Sequence, residues 1–161
     1  MIYDIIFEPS PILHNHNLEM DKKNIQTPEI QKLIKDMIET MYAKDGVGLA
    51  APQIGKSLQM CIIAKAYNKF DPKHDLCLIN PVFSKLSIHK AWDEEGCLSV
   101  PKIYGKIKRY TKIKVTALNT KGETIEFEAE NFFARIIQHE IDHLNGHLFI
   151  EKAKNLYQIQ N

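Results

Sequence analysis

The residues best suited to chemistry lie near the end of the sequence, in the run Gln138-His139-Glu140-Ile141-Asp142-His143. An α-helix repeats every ~3.6 residues, so His139 and His143 would lie on one face with their imidazoles a turn apart. Two imidazoles so placed can hold a metal ion, and Glu140 can take a proton from a water that the ion has made acidic. The pattern predicts metal-assisted hydrolysis, although a single HExxH pattern also arises by chance.

A catalytic metal site of this kind needs a third protein ligand. A metzincin would place a histidine where this sequence has Phe149, and His147 falls two residues short of that position. A thermolysin-like enzyme would use a carboxylate from a later helix, but Glu151 is the only acidic residue that follows Asp142. We therefore expect the third ligand upstream of the histidines.

Cys97 is the candidate for that ligand. It lies among polar neighbours in a predicted tight turn bounded by Gly96 and Pro101. Cys61 and Cys77 instead alternate with apolar residues and are expected to be buried. The sequence contains 3 cysteines at irregular spacing, which favours a reducing compartment over a disulfide framework.

A second stretch of interest runs from Gly46 to Gly55 and is too rich in glycine and small residues for a helix interior. Small residues let another backbone come close, which here would be a substrate strand or the metal-bearing helix. Gln53 is the one polar side chain of this apolar run. Two interpretations of Gln53 stay open, a turn or core amide and a donor to a developing oxyanion beside a metal.

Two amphipathic helices are predicted around these stretches. Thr27-Pro28-Glu29 is a strong helix start, with Thr27 as N-cap, and apolar residues follow at helical spacing until Asp45-Gly46. The second helix is predicted over 130–146, with Asn131 as its cap.

The face of the second helix that carries the histidines also carries apolar side chains. Phe132 and Ile136 would lie directly below His139 on that face. An apolar floor beneath a metal indicates a pocket for a hydrophobic side chain.

Strands are predicted at 58–64, 76–80, 82–89, 106–118 and 123–128, the last two joined by a hairpin loop at 119–122. The fold class is therefore α+β, with mostly antiparallel sheets packed around a central, metal-binding C-terminal helix and with an N-terminal amphipathic helix. Basic residues recur at strand period at Lys106, Lys108, Lys112 and Lys114. A solvated strand face is favoured for them over an RNA-docking surface.

Length and composition are those of an ordinary globular protein. We expect residues 1–161 to form a single domain, since 44% of the sequence is hydrophobic and 25% is charged. The net charge of +1 gives no general attraction to DNA or to a membrane, and we expect neither as a partner. No signal peptide, transit peptide or membrane span is predicted, so the expected form is a cytoplasmic monomer.

Three separated stretches, residues 46–53, 95–99 and 138–143, resemble the three signature motifs of the bacterial peptide deformylases in order and spacing. The resemblance implies a metal-dependent hydrolase that removes the N-formyl group from the methionine of newly made polypeptides and releases formate. It also implies N-formylmethionyl nascent peptides as substrates and ribosome docking, which some members achieve with a C-terminal helix. The tail after Phe149 is short for such a helix.

The same resemblance assigns roles to individual residues. The metal ligands match Cys97, His139 and His143, and the catalytic carboxylate matches Glu140. The oxyanion donors match the side-chain amide of Gln53 and the backbone N–H of Leu98. The substrate contacts match Val47 and Gly48, which would pair with the peptide, and Phe132 and Ile136, which would line the methionine pocket. The implied native ion is Fe²⁺, with Zn²⁺, Ni²⁺ and Co²⁺ as alternatives.

Two other functions stay open at this point. The first is a metallopeptidase that uses the same helix, although the sequence offers no carboxylate cluster for a free amino terminus. The second is a catalytically inactive relative that binds a metal or a peptide. A purely structural site would not require Glu140 and Gln53, which argues against the second alternative.

Overall fold

The computed structural model describes residues 1–160, which form two α-helices and eight β-strands joined by loops and short 3₁₀ turns. The helices are α1 (Pro28–Ala43) and α2 (Asn131–Leu144). The strands are β1 (Gly48–Ala50), β2 (Met60–Ile63), β3 (Leu76–Lys85), β4 (Lys90–Cys97), β5 (Val100–Tyr110), β6 (Lys112–Leu118), β7 (Thr124–Glu130) and β8 (Lys154–Gln158). The predicted α+β class, with an N-terminal amphipathic helix and antiparallel sheets, is confirmed.

The strands form two antiparallel sheets. The large sheet has five strands in the order β1-β2-β3-β6-β7, and the small sheet has three in the order β4-β5-β8. Side chains of β2 alternate between the faces of the large sheet, as strand geometry requires. Cys61 and Ile63 pack in the cluster that includes α2, whereas Met60 and Ile62 pack in the cluster that includes α1. Burying each apolar side chain in this way stabilises the fold by ~1.5–3 kcal/mol.

The small sheet covers the remaining side of α2. Gln138 Nε2 donates to the backbone oxygen of Tyr110 at 2.9 Å, and Arg135 Nη1 donates to that of Ile107 at 3.0 Å. The polar side chains of α2 therefore face a second sheet and are buried, with Gln138 only 3% and Arg135 6% exposed. Helix α2 lies between the two sheets. This position determines which residues its histidines can contact.

The N-terminal helix begins as predicted. Thr27 is the N-cap of α1, and its side chain accepts a hydrogen bond from the Ile30 N–H at 3.4 Å. Cys61 and Cys77 are buried as predicted. No helix within residues 1–160 combines the length and the apolar character that crossing a membrane would require. That residues 1–161 form one domain stays a prediction.

Three boundary predictions were wrong. The strand predicted at 106–118 is broken at Thr111, where the chain leaves the small sheet after β5 and enters the large sheet as β6. The segments predicted at 76–80 and 82–89 form one strand, β3, whose register shifts next to Asn80, a residue with a left-handed φ of 50°. Asn131 does not cap α2, because Glu130 occupies the N-cap position and Asn131 is the first helical residue.

Gly146 ends α2 in a left-handed conformation against the N-terminal segment. Its φ is 81°, and a Cβ added there would lie 2.6 Å from the backbone oxygen of His14. Gly122 has a similar φ of 79°, but its added Cβ would come no closer than 3.4 Å to Lys22. The two glycines thus share the same backbone conformation and differ in the space around them.

We expect Gly122→Ala to lower the free energy of unfolding by ~1–2 kcal/mol, the cost of a left-handed L-residue. Gly146→Ala should lower the free energy of unfolding by a further ~1–3 kcal/mol, because the backbone at His14 must also move to admit the new Cβ. Urea denaturation of the two variants measures this difference. Equal losses would contradict the close approach of Gly146 to His14.

Candidate metal centre

Three side chains place their ligand atoms around one point. Cys97 ends β4, and its Sγ lies 3.3 Å from His143 Nε2. His143 Nε2 lies 3.2 Å from His139 Nε2, one turn earlier on α2. Metal bonds of ~2.0–2.3 Å in a tetrahedral site place neighbouring ligand atoms roughly 3.3–3.6 Å apart. The spacing of these three atoms, all within 4.8 Å of one another, therefore fits a single ion.

A buried carboxylate orients the first histidine. Glu95 Oε1 lies 2.8 Å from His139 Nδ1, so Nδ1 carries the proton and Nε2 offers its lone pair to the centre. Burial opposes a charged imidazole, yet hydrogen bonds with Cys97 and Glu95 raise the pKa of His139 to about 10. Burial holds the pKa of His143 well below its usual value. A cation competes with the proton for the His139 lone pair, so ion binding releases a proton.

Glu95 is itself held by two arginines. Arg109 donates to it through Nε at 2.7 Å and Nη2 at 2.9 Å, and Arg135 donates through Nη1 at 2.8 Å. Burial works against ionisation, but hydrogen bonds from Arg109 and His139 hold the pKa of Glu95 well below its usual value. Arg109 also binds Asp142 at 2.8 Å.

The roles of Glu95, Arg109 and Arg135 were missed at the sequence level. A signal for one of them was present, because Arg109 follows the buried Ile107 at strand period and therefore points into the core. A charged residue in a core-facing register needs a buried partner.

Glu140 lies beside the three ligand atoms and is 3% exposed. Among residues 1–160, its Oε2 has no hydrogen-bond partner, which is uncommon for a buried carboxylate. Burial raises the pKa of Glu140 to about 7. Gly48 allows the chain to pack directly against this carboxylate, because a Cβ there would lie 2.6 Å from Glu140 Oε1. A carboxyl group that titrates near neutrality is suited to accepting and returning a proton.

Gln53 directs its amide nitrogen at the same point. Its Oε1 accepts the Ala50 N–H at 2.9 Å, which turns Nε2 towards Cys97 Sγ at 3.5 Å and Ser99 Oγ at 3.2 Å. Leu98 follows Cys97 in the turn between β4 and β5. Both residues of the predicted oxyanion site thus lie next to the sulfur, Gln53 in space and Leu98 in the chain.

An apolar pocket opens next to the ligand atoms. Its volume is about 130 Å³, and its lining includes Val47, Phe132, Ile136, His139 and Glu140. An apolar cavity of ~150 Å³ holds a benzene molecule, so this pocket suits an unbranched side chain of a few heavy atoms. Strand β1 borders it and is an edge strand of the large sheet. Extended peptides bind many proteins by adding a strand to such an edge.

The structure thus brings the ten predicted site residues into one region: Val47, Gly48, Gln53, Cys97, Leu98, Phe132, Ile136, His139, Glu140 and His143. A thiol, two imidazoles and an unpartnered carboxylate beside an apolar pocket define a candidate metal-dependent hydrolase. The role of each residue stays a prediction.

Comparisons with known proteins agree with this class. The family model for polypeptide deformylase matches residues 2–158. A peptide deformylase of Carboxydothermus hydrogenoformans is 44% identical over 96% of this chain and 95% of its own length. A crystal structure of the Thermotoga maritima peptide deformylase covers 96% of this chain and 99% of its own, at 38% identity and a TM-score of 0.87. A Met-Ala-Ser-bound peptide deformylase structure from Acinetobacter baumannii covers 94% of this chain and 98% of its own, at 33% identity and a TM-score of 0.87.

The chain belongs to the polypeptide deformylase family. The predicted activity, metal-dependent hydrolytic removal of the N-formyl group from the amino-terminal methionine of polypeptides, is confirmed at the level of this family. The metallopeptidase alternative has no support from these matches.

Glu95→Gln should lower the free energy of unfolding by roughly 3–5 kcal/mol, because buried Arg135 loses its counter-charge and buried Arg109 keeps only Asp142. The lowered pKa of Glu95 means that its stabilising contribution is complete above the usual value of 4.5 and is lost as pH falls below it. Between neutral and acidic pH, the free energy of unfolding should therefore decrease less for Glu95→Gln than for the wild type. Glu94→Gln, an exposed neighbour, should stay within ~0.5 kcal/mol. A Glu95 variant as stable as the Glu94 variant would contradict the network.

Proposed function

We propose that Cys97, His139 and His143 bind one divalent ion, and that the protein uses it to hydrolyse the formyl group of N-formylmethionyl peptides. The observation that supports this most directly is the convergence of Sγ and two Nε2 atoms beside the unpartnered Glu140 carboxylate. A structural site would be closed by a fourth protein ligand, whereas the group of ligand atoms found within residues 1–160 has three members.

A divalent ion held there would acidify a water molecule and polarise the formyl carbonyl. Glu140 accepts the proton of that water and delivers it to the departing amine nitrogen. Gln53 Nε2 and the Leu98 N–H donate hydrogen bonds to the oxygen on which negative charge develops. One such donor contributes roughly 10²–10³-fold to the rate.

The substrate is proposed to bind as an additional strand. Its backbone pairs with Val47 and Gly48 along the free edge of β1. Its methionine side chain enters the pocket between Phe132 and Ile136, which brings the formyl group to the ligand atoms. A similar peptide deformylase binds Met-Ala-Ser, a peptide that begins with the residue this pocket is proposed to take.

The proposed native ion is Fe²⁺, with Zn²⁺, Ni²⁺ and Co²⁺ as alternatives. A thiolate and two neutral imidazoles suit these ions and disfavour Mg²⁺ and Ca²⁺, which prefer oxygen. The set leaves a net charge near +1 on the site, enough to acidify water. Iron next to a cysteine sulfur is open to oxidation, and we expect activity to fade in air.

We also propose that the enzyme acts as a monomer in the cytoplasm on nascent polypeptides, with docking to the ribosome. Residues 145–160 contain a 3₁₀ turn and β8.

Formate release from formyl-Met-Ala-Ser by anaerobically purified protein, with metal analysis of the same sample, tests the proposal. Glu140→Ala should keep the ion and lose roughly 10²–10⁴-fold in turnover, because proton transfer is lost. Cys97→Ala should lose both ion and turnover. Cys77→Ala, a cysteine buried in the other core, should keep both.

Full turnover in Cys97→Ala or Glu140→Ala would refute the assigned roles. Cleavage of Met-Ala-Ser at the rate of its formylated form would favour a peptidase.

The pH dependence should report Glu140. The carboxyl group accepts a proton only when ionised, and burial raises its pKa to about 7. A nearby cation lowers this pKa, so kcat/KM should rise with pH and level off at or below neutrality. Measuring kcat/KM of the metal-loaded enzyme over a series of pH values tests this rise. If the same rise persists in Glu140→Ala, it belongs to another group.

A further inference from the structure

The outer face of the small sheet combines basic and aromatic side chains. Residues opposite each other on antiparallel strands share a face. This register pairs Trp92 with Lys108, and Tyr104 with Tyr157. We call the outer face the basic aromatic face; it comprises Lys90, Trp92, Glu94, Tyr104, Lys106, Lys108, Lys154 and Tyr157. The alternate residues of β4 and β5, such as Glu95 and Arg109, are buried against α2.

Positive charge exceeds negative charge on this face, which carries four lysines and one glutamate. Its four lysines form no ion pair with any residue in the described range 1–160. Lysines of the large sheet behave differently, since Lys112 lies 3.4 Å from Glu130 and Lys114 lies 2.5 Å from Glu126. Glu94 is the acidic residue of the face, and its carboxylate accepts the hydrogen bond of the Tyr157 hydroxyl.

The aromatic rings of this face are open to solvent. Trp92 is 47% exposed, and Lys154 Nζ and Lys108 Nζ lie 5.4 and 5.9 Å from its ring centroid. Tyr104 and Tyr157 stack with their centroids 5.9 Å apart. Flat rings among unpaired cations offer two kinds of contact at once, one to a planar group and one to an anion.

We propose that the basic aromatic face binds single-stranded RNA. Its lysines would contact successive phosphates, and unpaired bases would stack on Trp92 and on the tyrosine pair. An anionic membrane or an acidic protein would satisfy the lysines but would leave the exposed rings without a planar partner. The choice of RNA over DNA rests on the proposed function, because newly made polypeptides arise on RNA.

The lysines of the basic aromatic face differ from the group that the sequence pattern predicted. The strip predicted from strand period joined Lys106 and Lys108 to Lys112 and Lys114, which belong to the other sheet. In the structure, Lys106 and Lys108 instead share a face with Lys90 of β4 and Lys154 of β8. A solvated strand therefore describes the large-sheet lysines, whereas the small sheet carries a surface built from three strands.

Trp92 provides the readout, because the sequence contains 1 tryptophan. Titration with a dodecameric single-stranded RNA at low salt should quench Trp92 fluorescence, since a stacked base contacts the ring. The logarithm of the association constant should fall with the logarithm of salt concentration with a slope of roughly −3 for four phosphate contacts. Matched DNA, and vesicles containing anionic lipid, serve as competing ligands.

Variants separate the two kinds of contact, with binding followed by the anisotropy of a labelled RNA. Replacing Lys90, Lys106, Lys108 and Lys154 by Gln should weaken binding at least tenfold and flatten the salt slope. Trp92→Ala should weaken binding about tenfold and keep the slope. The matched control, Lys112→Gln with Lys114→Gln, should bind like the wild type. All variants should release formate from a short formylated peptide at the wild-type rate, which shows that they are folded.

The proposal is overturned if RNA causes no quenching, if the four lysine substitutions leave affinity and slope unchanged, or if anionic vesicles bind more tightly than RNA. Equal affinity for matched DNA would overturn the choice of RNA. RNA binding by a protein that releases no formate would refute the proposed function and support this inference.

Discussion

The structure depends on one buried carboxylate, Glu95, which joins the small sheet to helix α2. Its oxygens receive hydrogen bonds from Arg109 of the same sheet and from Arg135 and His139 of the helix. A charge removed from water is tolerated only when its partners are complete, so each of these groups constrains the position of the others. Cys97 lies two residues further along the same strand. The contact that orients His139 therefore also fixes where the sulfur arrives.

Close packing creates the reactivity of the site. Strand β1 approaches α2 at Gly48, where any side chain would collide with Glu140. That approach excludes water from the Glu140 carboxyl group and raises its pKa to about 7, the range in which a group can both accept and return a proton. The same strand presents a free edge beside the pocket. The contact between Gly48 and Glu140 thus contributes to the burial of the carboxyl group and places an edge strand next to the pocket.

Lysines of the two sheets differ in whether they form ion pairs. Lysines of the large sheet lie opposite glutamates of β7, and the charges cancel. In the small sheet the residues opposite the lysines are Trp92, Tyr110, Lys154 and a single glutamate, Glu94, so positive charge remains in excess. The chain passes from one environment to the other at Thr111, without a change in the alternation of its residues. Strand period alone could not reveal that boundary, because both sheets impose the same period.

The sequence by itself determined which reactive side chains share an element and which family the chain resembles. Helical spacing placed His139 and His143 on one face, the Thr27 start fixed α1, and three motifs in order indicated the family. Tertiary structure alone decided that Glu95 and two arginines would meet His139, that Gly48 would face Glu140, and that Lys154 would join Lys108 around Trp92. The physical reason is that periodicity reports which side chains share a face of one element. Contacts between elements distant in the chain depend on how sheets and helix pack, which no local pattern records.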